Sequence, residues 1–188
     1  MAQIIEYFTT MTPLETVGQI IGFIGTTAFF ISYQQKAQKR IIFYQIIGIS
    51  MFVIHFFMLK AYTGAVLNVL GVIRAVVYYN ADKKWAQSKL WFYGLLLTYM
   101  IAGIFIWEDW FSILPIFAMI LSTFAFITDN PLRFRILNFP CSPMWLIYNI
   151  HHHSISGSIT ECFTMTSMII AFFRYYVIKS APKDGKEQ

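Results

Sequence analysis

Polar residues interrupt this chain rarely, and the intervals between them set its architecture. Apolar runs fall at about 17–34, 41–59, 62–80, 90–107, 111–128, 136–151 and 157–178. Each approaches the roughly 20 residues that a helix needs to cross a hydrocarbon core about 30 Å thick. The pattern predicts an all-α membrane protein with seven transmembrane helices. The sixth run is short and opens with Pro140 and Pro143, each of which removes a helical hydrogen bond and frees a carbonyl one turn earlier. Such a break persists in a membrane only where protein or water faces it.

Composition strengthens this picture. The chain is 57% hydrophobic, 19% aromatic and only 12% charged, which leaves little material for a soluble domain. The net charge of +5 would suit nucleic acid or a membrane surface, but its distribution decides between them. Twelve of the fourteen basic residues fall in breaks on one side: Lys36, Lys39 and Arg40; Lys83, Lys84 and Lys89; Arg133 and Arg135; Arg174, Lys179, Lys183 and Lys186. Lys60 stands alone on the other side, and Arg74 lies inside a run. By the positive-inside rule this bias predicts an outside N-terminus and a cytoplasmic C-terminus, with a bilayer rather than nucleic acid as partner. Because no basic residue precedes the first run, a cleaved signal peptide is not expected.

The sequence also looks doubled. A shift of about 93 residues places Phe52 on Trp145, His55 on Tyr148, Gly64 on Gly157 and Asn68 on Glu161. It predicts two parallel three-helix bundles, 17–80 and 111–178, joined by a linker helix at 90–107 and followed by a disordered cytoplasmic tail at 179–188. In parallel repeats, substrate sites form at the repeat interface near mid-membrane.

The 3+1+3 order, together with "GAVLNVLG" (64–71), "MWLIYN" (144–149) and "GSITECF" (157–163), resembles the SWEET and PQ-loop transporter superfamily. Within it, "NFPCSPMWLIYNI" (138–150) and the chain length are similar to the bacterial inner-membrane YgjV family. Two features depart from the superfamily pattern: the first helix ends "SYQQK" without a Pro-Gln pair, and Glu161 stands where a SWEET usually has Asn. The resemblance implies multi-pass residence in the bacterial inner membrane and movement of a small polar solute such as a sugar, nucleoside or vitamin.

Depth estimates gather the candidate residues. At 1.5 Å per residue, Asn68 lies about 9 Å and Glu161 about 6 Å below the outer surface, with His55, Asn149 and Trp145 roughly 6 to 15 Å below it. A carboxylate in a span costs about 2.5–3.5 kcal/mol on insertion scales, so Glu161 is expected to face a cavity, a partner or a transport path unless it is solvated near the interface. Asn68 and Asn149 can hydrogen-bond a polar solute, and Trp145 offers a face for a ring. The alternatives are interhelical hydrogen bonds for the Asn pair and interfacial anchoring for Trp145. His55 reads as a hydrogen-bonded core histidine or a proton relay. Pro140 and Pro143 are candidates for a flexing gate, and Arg74 for an inner gate or a snorkelling side chain.

His151, His152 and His153 fall where the sixth run ends. Consecutive helical residues point about 100° apart, so convergence on one metal is not expected, and neither a metal nor a cofactor is assigned. Glu108 and Asp109 read as solvated loop residues. Cys141 and Cys162 lie about 15 Å apart in depth, too far for a disulfide, and are expected to pack as small apolar thiols. Residues 18–22, "GQIIG", form a small-xxx-small face for close helix approach within the chain or between protomers of a homo-oligomer. Phosphate-loop, dinucleotide and nucleophile-elbow motifs are missing from the sequence, so an enzyme is not expected. The reading is a solute transporter working by alternating access. The competing expectation is a receptor or assembly protein that binds without moving its ligand.

Overall fold

The computed structural model describes residues 10–35, 37–126 and 136–180. Among these lie seven α-helices: α1 (Pro13–Gln34), α2 (Gln38–Met58), α3 (Tyr62–Tyr79), α4 (Lys89–Phe105), α5 (Ile113–Phe126), α6 (Cys141–His151) and α7 (Ile155–Ser180), with a 3₁₀ turn (Trp110–Ser112) leading into α5. Helices α1, α2 and α3 are long and apolar enough to span a bilayer, and α4 and the run through α5 are shorter apolar helices. Lys179 and Ser180, assigned to the tail from the sequence, close α7, and residues 181–188 lie outside the described residues.

Helix α1 starts at Pro13, four residues before the predicted apolar run. Thr12 accepts from the Glu15 amide at 3.3 Å while its own amide donates to Glu15 Oε2 at 2.8 Å. Pro13 occupies the first helical position, where no amide is needed. The signal was present in the sequence as Thr-Pro-Leu-Glu.

Helix α2 lies between α1 and α3, and α6 lies between α5 and α7. Helix α1 also packs on α7, α3 on α5, and α4 on both α3 and α5. Apolar burial gives little reason for helices to associate in lipid, so close packing and polar bonds must do it. Glycine supplies the approach at two crossings. A Cβ on Gly25 would sit 3.0 Å from the Gly48 carbonyl of α2, and one on Gly22 would sit 2.1 Å from Ser156 Oγ of α7. Gly18 and Gly22, the small-residue pair noted in the sequence, therefore line intramolecular contacts.

The α2–α3 and α6–α7 turns repeat one backbone pattern 93 positions apart. Lys60 and His153 both adopt positive φ, 59° and 53°. Four hydrogen bonds recur in step. Leu59 N–H to His55 O matches His152 N–H to Tyr148 O; Lys60 to Phe57 matches His153 to Ile150; Ala61 to Phe56 matches Ser154 to Asn149; Ala65 to Ala61 matches Ser158 to Ser154.

Long-range caps close the helices that leave these turns. The Glu108 carboxylate accepts from the amides of Tyr62 and Thr63 at 3.0 and 2.8 Å, at the start of α3. Gln19 Oε1 accepts from Ile155 and Ser156, the positions 93 residues further on, at 3.2 and 3.5 Å. Glu108 is thus a helix cap rather than a merely solvated residue, placed where first-turn amides lack partners and the helix dipole favours negative charge. Glu108→Ala is expected to cost about 1 kcal/mol, with Glu108→Gln costing less; thermal melts of the purified protein in detergent would measure the difference.

Candidate functional site

The sixth segment is built as a half-helix. Residues 136–138 are helical, a turn follows at 139–140, and α6 then runs for 11 residues. That is about 16 Å by helical rise, roughly half of a 30 Å hydrocarbon core. Pro140 is the N-cap, and Pro143 falls in the first turn, where amides have no intrahelical acceptor in any case. The chain break therefore sits before Cys141. Pro143 removes no hydrogen bond from the helix interior, contrary to the sequence expectation for both prolines.

Glu161 of α7 is half-buried and faces the hydroxyl of Ser142, at the start of α6. Because α7 begins at Ile155, Glu161 lies about 9 Å along it rather than the 6 Å expected. The carboxylate thus meets the N-terminal end of the half-helix, where the dipole favours negative charge.

Trp145 and Asn149 continue upward from Ser142 on one strip, at helical spacings of three and four. Trp145 stacks on Phe56 of α2, with centroids 6.0 Å apart and planes at 28°, and meets Tyr148 edge-on at 5.8 Å. It packs against both hydrophobic clusters of the core, one around Phe52 and Phe56 and one around Leu67, Leu95 and Tyr99. It is a packed interior side chain rather than an interfacial anchor. Asn149 is 2% exposed, and among the described residues its Oδ1 has no hydrogen-bond partner. Gly157 lets the side chain pack against its bare backbone: a Cβ there would come within 2.6 Å of that oxygen.

His55 is fully buried. Its Nδ1 lies 2.8 Å from the Gly18 carbonyl and its Nε2 lies 2.7 Å from Ser154 Oγ. A carbonyl only accepts, so Nδ1 carries the proton, and in the neutral ring Nε2 accepts from the Ser154 hydroxyl. The equivalent position, Tyr148, reaches the other way: its hydroxyl accepts from the Gly64 amide at 2.8 Å. The structure thus brings Trp145, Asn149 and His55 around α2, α6 and α7, with Glu161 below them. Asn68 donates to the Gly64 carbonyl of its own helix at 2.8 Å.

Arg74 does not snorkel. It is 7% exposed and points into α5, where it donates to Ser122 Oγ, to Thr123 Oγ1 at 3.3 Å and to the Met119 carbonyl at 3.4 Å. Cys141 is buried with its thiol 3.3 Å from the Ala118 carbonyl, while Cys162 is exposed on the helix surface rather than packed; both are free.

The sequence reading missed Gln19, Ser154 and Ser156, a polar knot beneath the α6–α7 turn. Gln19 Nε2 donates to the His153 carbonyl at 2.7 Å, and Ser156 is fully buried. The signal that would have found it is the concentration of Ser around Gly157 in "HSISGS". Beside the knot, Asp109 meets His151, with Nε2 2.8 Å from Oδ2, and His152, with Nε2 at 3.7 Å. Burial raises the Asp109 carboxyl, but the His151 hydrogen bond, the Ser112 amide and the nearby imidazoles outweigh it and hold it below the ordinary carboxylate value. Burial pushes His152 below the usual imidazole value against the pull of Asp109.

A family model described as a bacterial inner membrane protein, Imp-YgjV, matches residues 16–179. The chain is 27% identical over 146 residues to inner membrane protein YgjV of Escherichia coli (strain K12), an alignment covering 77% of this chain and 74% of that protein. No solved structure matches.

Proposed function

We propose, from the premise that this chain belongs to the YgjV family of bacterial inner membrane proteins, that it carries a small polar solute across that membrane. The N-terminus faces outward and the C-terminus the cytoplasm, as the basic residues favour. Helices α1–α3 and α5–α7 act as two parallel bundles related by the 93-residue offset, with α4 as linker. The matched turns, the crossed pair His55 and Tyr148 and the equivalent caps from Gln19 and Glu108 support this reading.

The observation that carries the function is the buried, unpartnered Oδ1 of Asn149 on the same strip as Trp145 and the Glu161–Ser142 contact. A buried acceptor left unpaired costs about 1–3 kcal/mol, and a solute N–H or O–H would recover it. A ring lying beside Trp145 and a hydroxyl or cationic group at Glu161 complete the recognition. The solute is therefore uncharged or cationic, rich in donors, and small enough to sit between α6 and α7. The break before Cys141 supplies a flexing gate within the second bundle, and no bond is made or broken in the solute.

Purified protein in otherwise empty liposomes, screened with sugars, nucleosides, vitamins and amines, is expected to give saturable solute flux that protein-free liposomes lack. Saturable binding without flux in any of these would overturn transport in favour of a receptor.

A further inference from the structure

We propose that Asp109, His151 and His152 form a divalent transition-metal site, of zinc-binding type, at the bundle end that carries the α6–α7 turn. One ligand atom from each of the three residues lies within 4.8 Å of the other two, with Asp109 Oδ2 at 2.8 and 3.7 Å from the two histidine Nε2 atoms. Zinc bonds to imidazole nitrogen and carboxylate oxygen are about 2.0–2.2 Å. Around a tetrahedral ion they place neighbouring ligand atoms about 3.3 Å apart, a spacing that the two measured distances bracket. Two imidazoles and one carboxylate favour zinc or a neighbouring transition metal over calcium or magnesium, which prefer all-oxygen shells.

The ligands are held before any ion arrives. The other oxygen of Asp109, Oδ1, is engaged by the Ser112 amide at 3.0 Å and the Ser112 hydroxyl at 3.3 Å, which leaves Oδ2 for the histidines. Phe111 stacks on His151 with centroids 4.0 Å apart and planes at 16°, and Tyr148 packs on His152 at 4.2 Å. Outer contacts of this kind fix the orientation of metal ligands. A second, independent observation points to a ligand: among the described residues His152 Nε2 is buried without a hydrogen-bond partner, and it belongs to the group whose atoms converge on Asp109 Oδ2. His151 and Asp109 remain 39% and 31% exposed, so an ion has a path in.

The two adjacent histidines sit at the end of α6, and both imidazoles reach the same Asp109 oxygen. His151 is the last residue of α6 and His152 its C-cap. His153, in the left-handed region, is not part of the group. Three protein ligands leave a fourth position open to water or another donor. A bound ion would tie the loop ahead of α5 to the α6–α7 turn.

The test uses untagged, chelator-treated full-length protein in detergent, titrated with zinc alone by calorimetry, and with cobalt(II) alone to read the tetrahedral absorption bands. One zinc per chain is expected, weakened about tenfold or more by His151→Ala, His152→Ala or Asp109→Asn, while His153→Ala binds like the wild type. Cobalt bands on the unaltered protein, lost on adding zinc, would support the site even if a variant failed to fold. Absence of zinc binding and cobalt bands in the wild type, or equal loss in His153→Ala and His151→Ala, would overturn the proposal.

Discussion

Glu161→Gln is expected to lose solute-dependent stabilisation and flux while the empty protein melts no lower than the wild type. The two halves of this result have separate causes. A hydrogen bond to a charged group contributes about 1.5–3 kcal/mol, so neutralising Glu161 lowers affinity for a donor-rich or cationic solute about ten- to a hundredfold. The carboxylate itself costs about 2.5–3.5 kcal/mol in the span, offset in part by the Ser142 side chain that it faces and the start of α6. Gln retains the shape while removing that cost. Thermal shift with and without solute, followed by flux in liposomes, separates the readings. A large fall in melting temperature with unchanged flux would make Glu161 a structural group and sink its proposed role.

Gly22→Leu is expected to be the most damaging single change in the bundle. The first added carbon would fall 2.1 Å from Ser156 Oγ and 2.7 Å from His55 Nδ1, so α1 must retreat from both α2 and α7. Retreat would break the Gly18–His55 bond and lengthen those that Gln19 makes to α7. Overpacking alone costs about 1–3 kcal/mol, and orphaning a buried imidazole nitrogen adds about 1–3 more. Gly94→Ala is the control, because a Cβ there meets nothing within 4 Å. Size-exclusion profiles and melting curves should show Gly22→Leu aggregated or strongly destabilised and Gly94→Ala intact; an intact Gly22→Leu would mean that α1 is held by other contacts.

Much of the fold was legible because lipid leaves few choices. Seven apolar runs correspond to seven helices among the described residues, and the turns after α2 and α6 share one backbone hydrogen-bond pattern. What escaped was long-range and polar. Glu108 lies 45 and 46 positions from the amides that it caps, a separation with no periodic signature. The histidine cluster was weighed by the 100° step along its own helix, which carries no sign that Asp109, 42 positions from His151, lies within reach of both imidazoles. Arg74 was read by its distance from the end of the span, yet hydroxyls on α5 hold it inside. For the proposed solute site, one helix face joined Trp145 to Asn149, and depth alone joined Asn68 and Glu161 to them.

The crossed caps make the order of synthesis matter. As the chain emerges from the ribosome, α3 enters the bilayer with its first amides open, and their acceptor follows only when Glu108 has been made. Helix α7 arrives last and finds Gln19, made 136 residues before Ile155, already in position. The early half is thus left incomplete during insertion and the late half docks onto a finished template. A nascent chain that stalls before Glu108 would present membrane quality-control proteases with an unsealed helix end, whereas a stall within α7 would not.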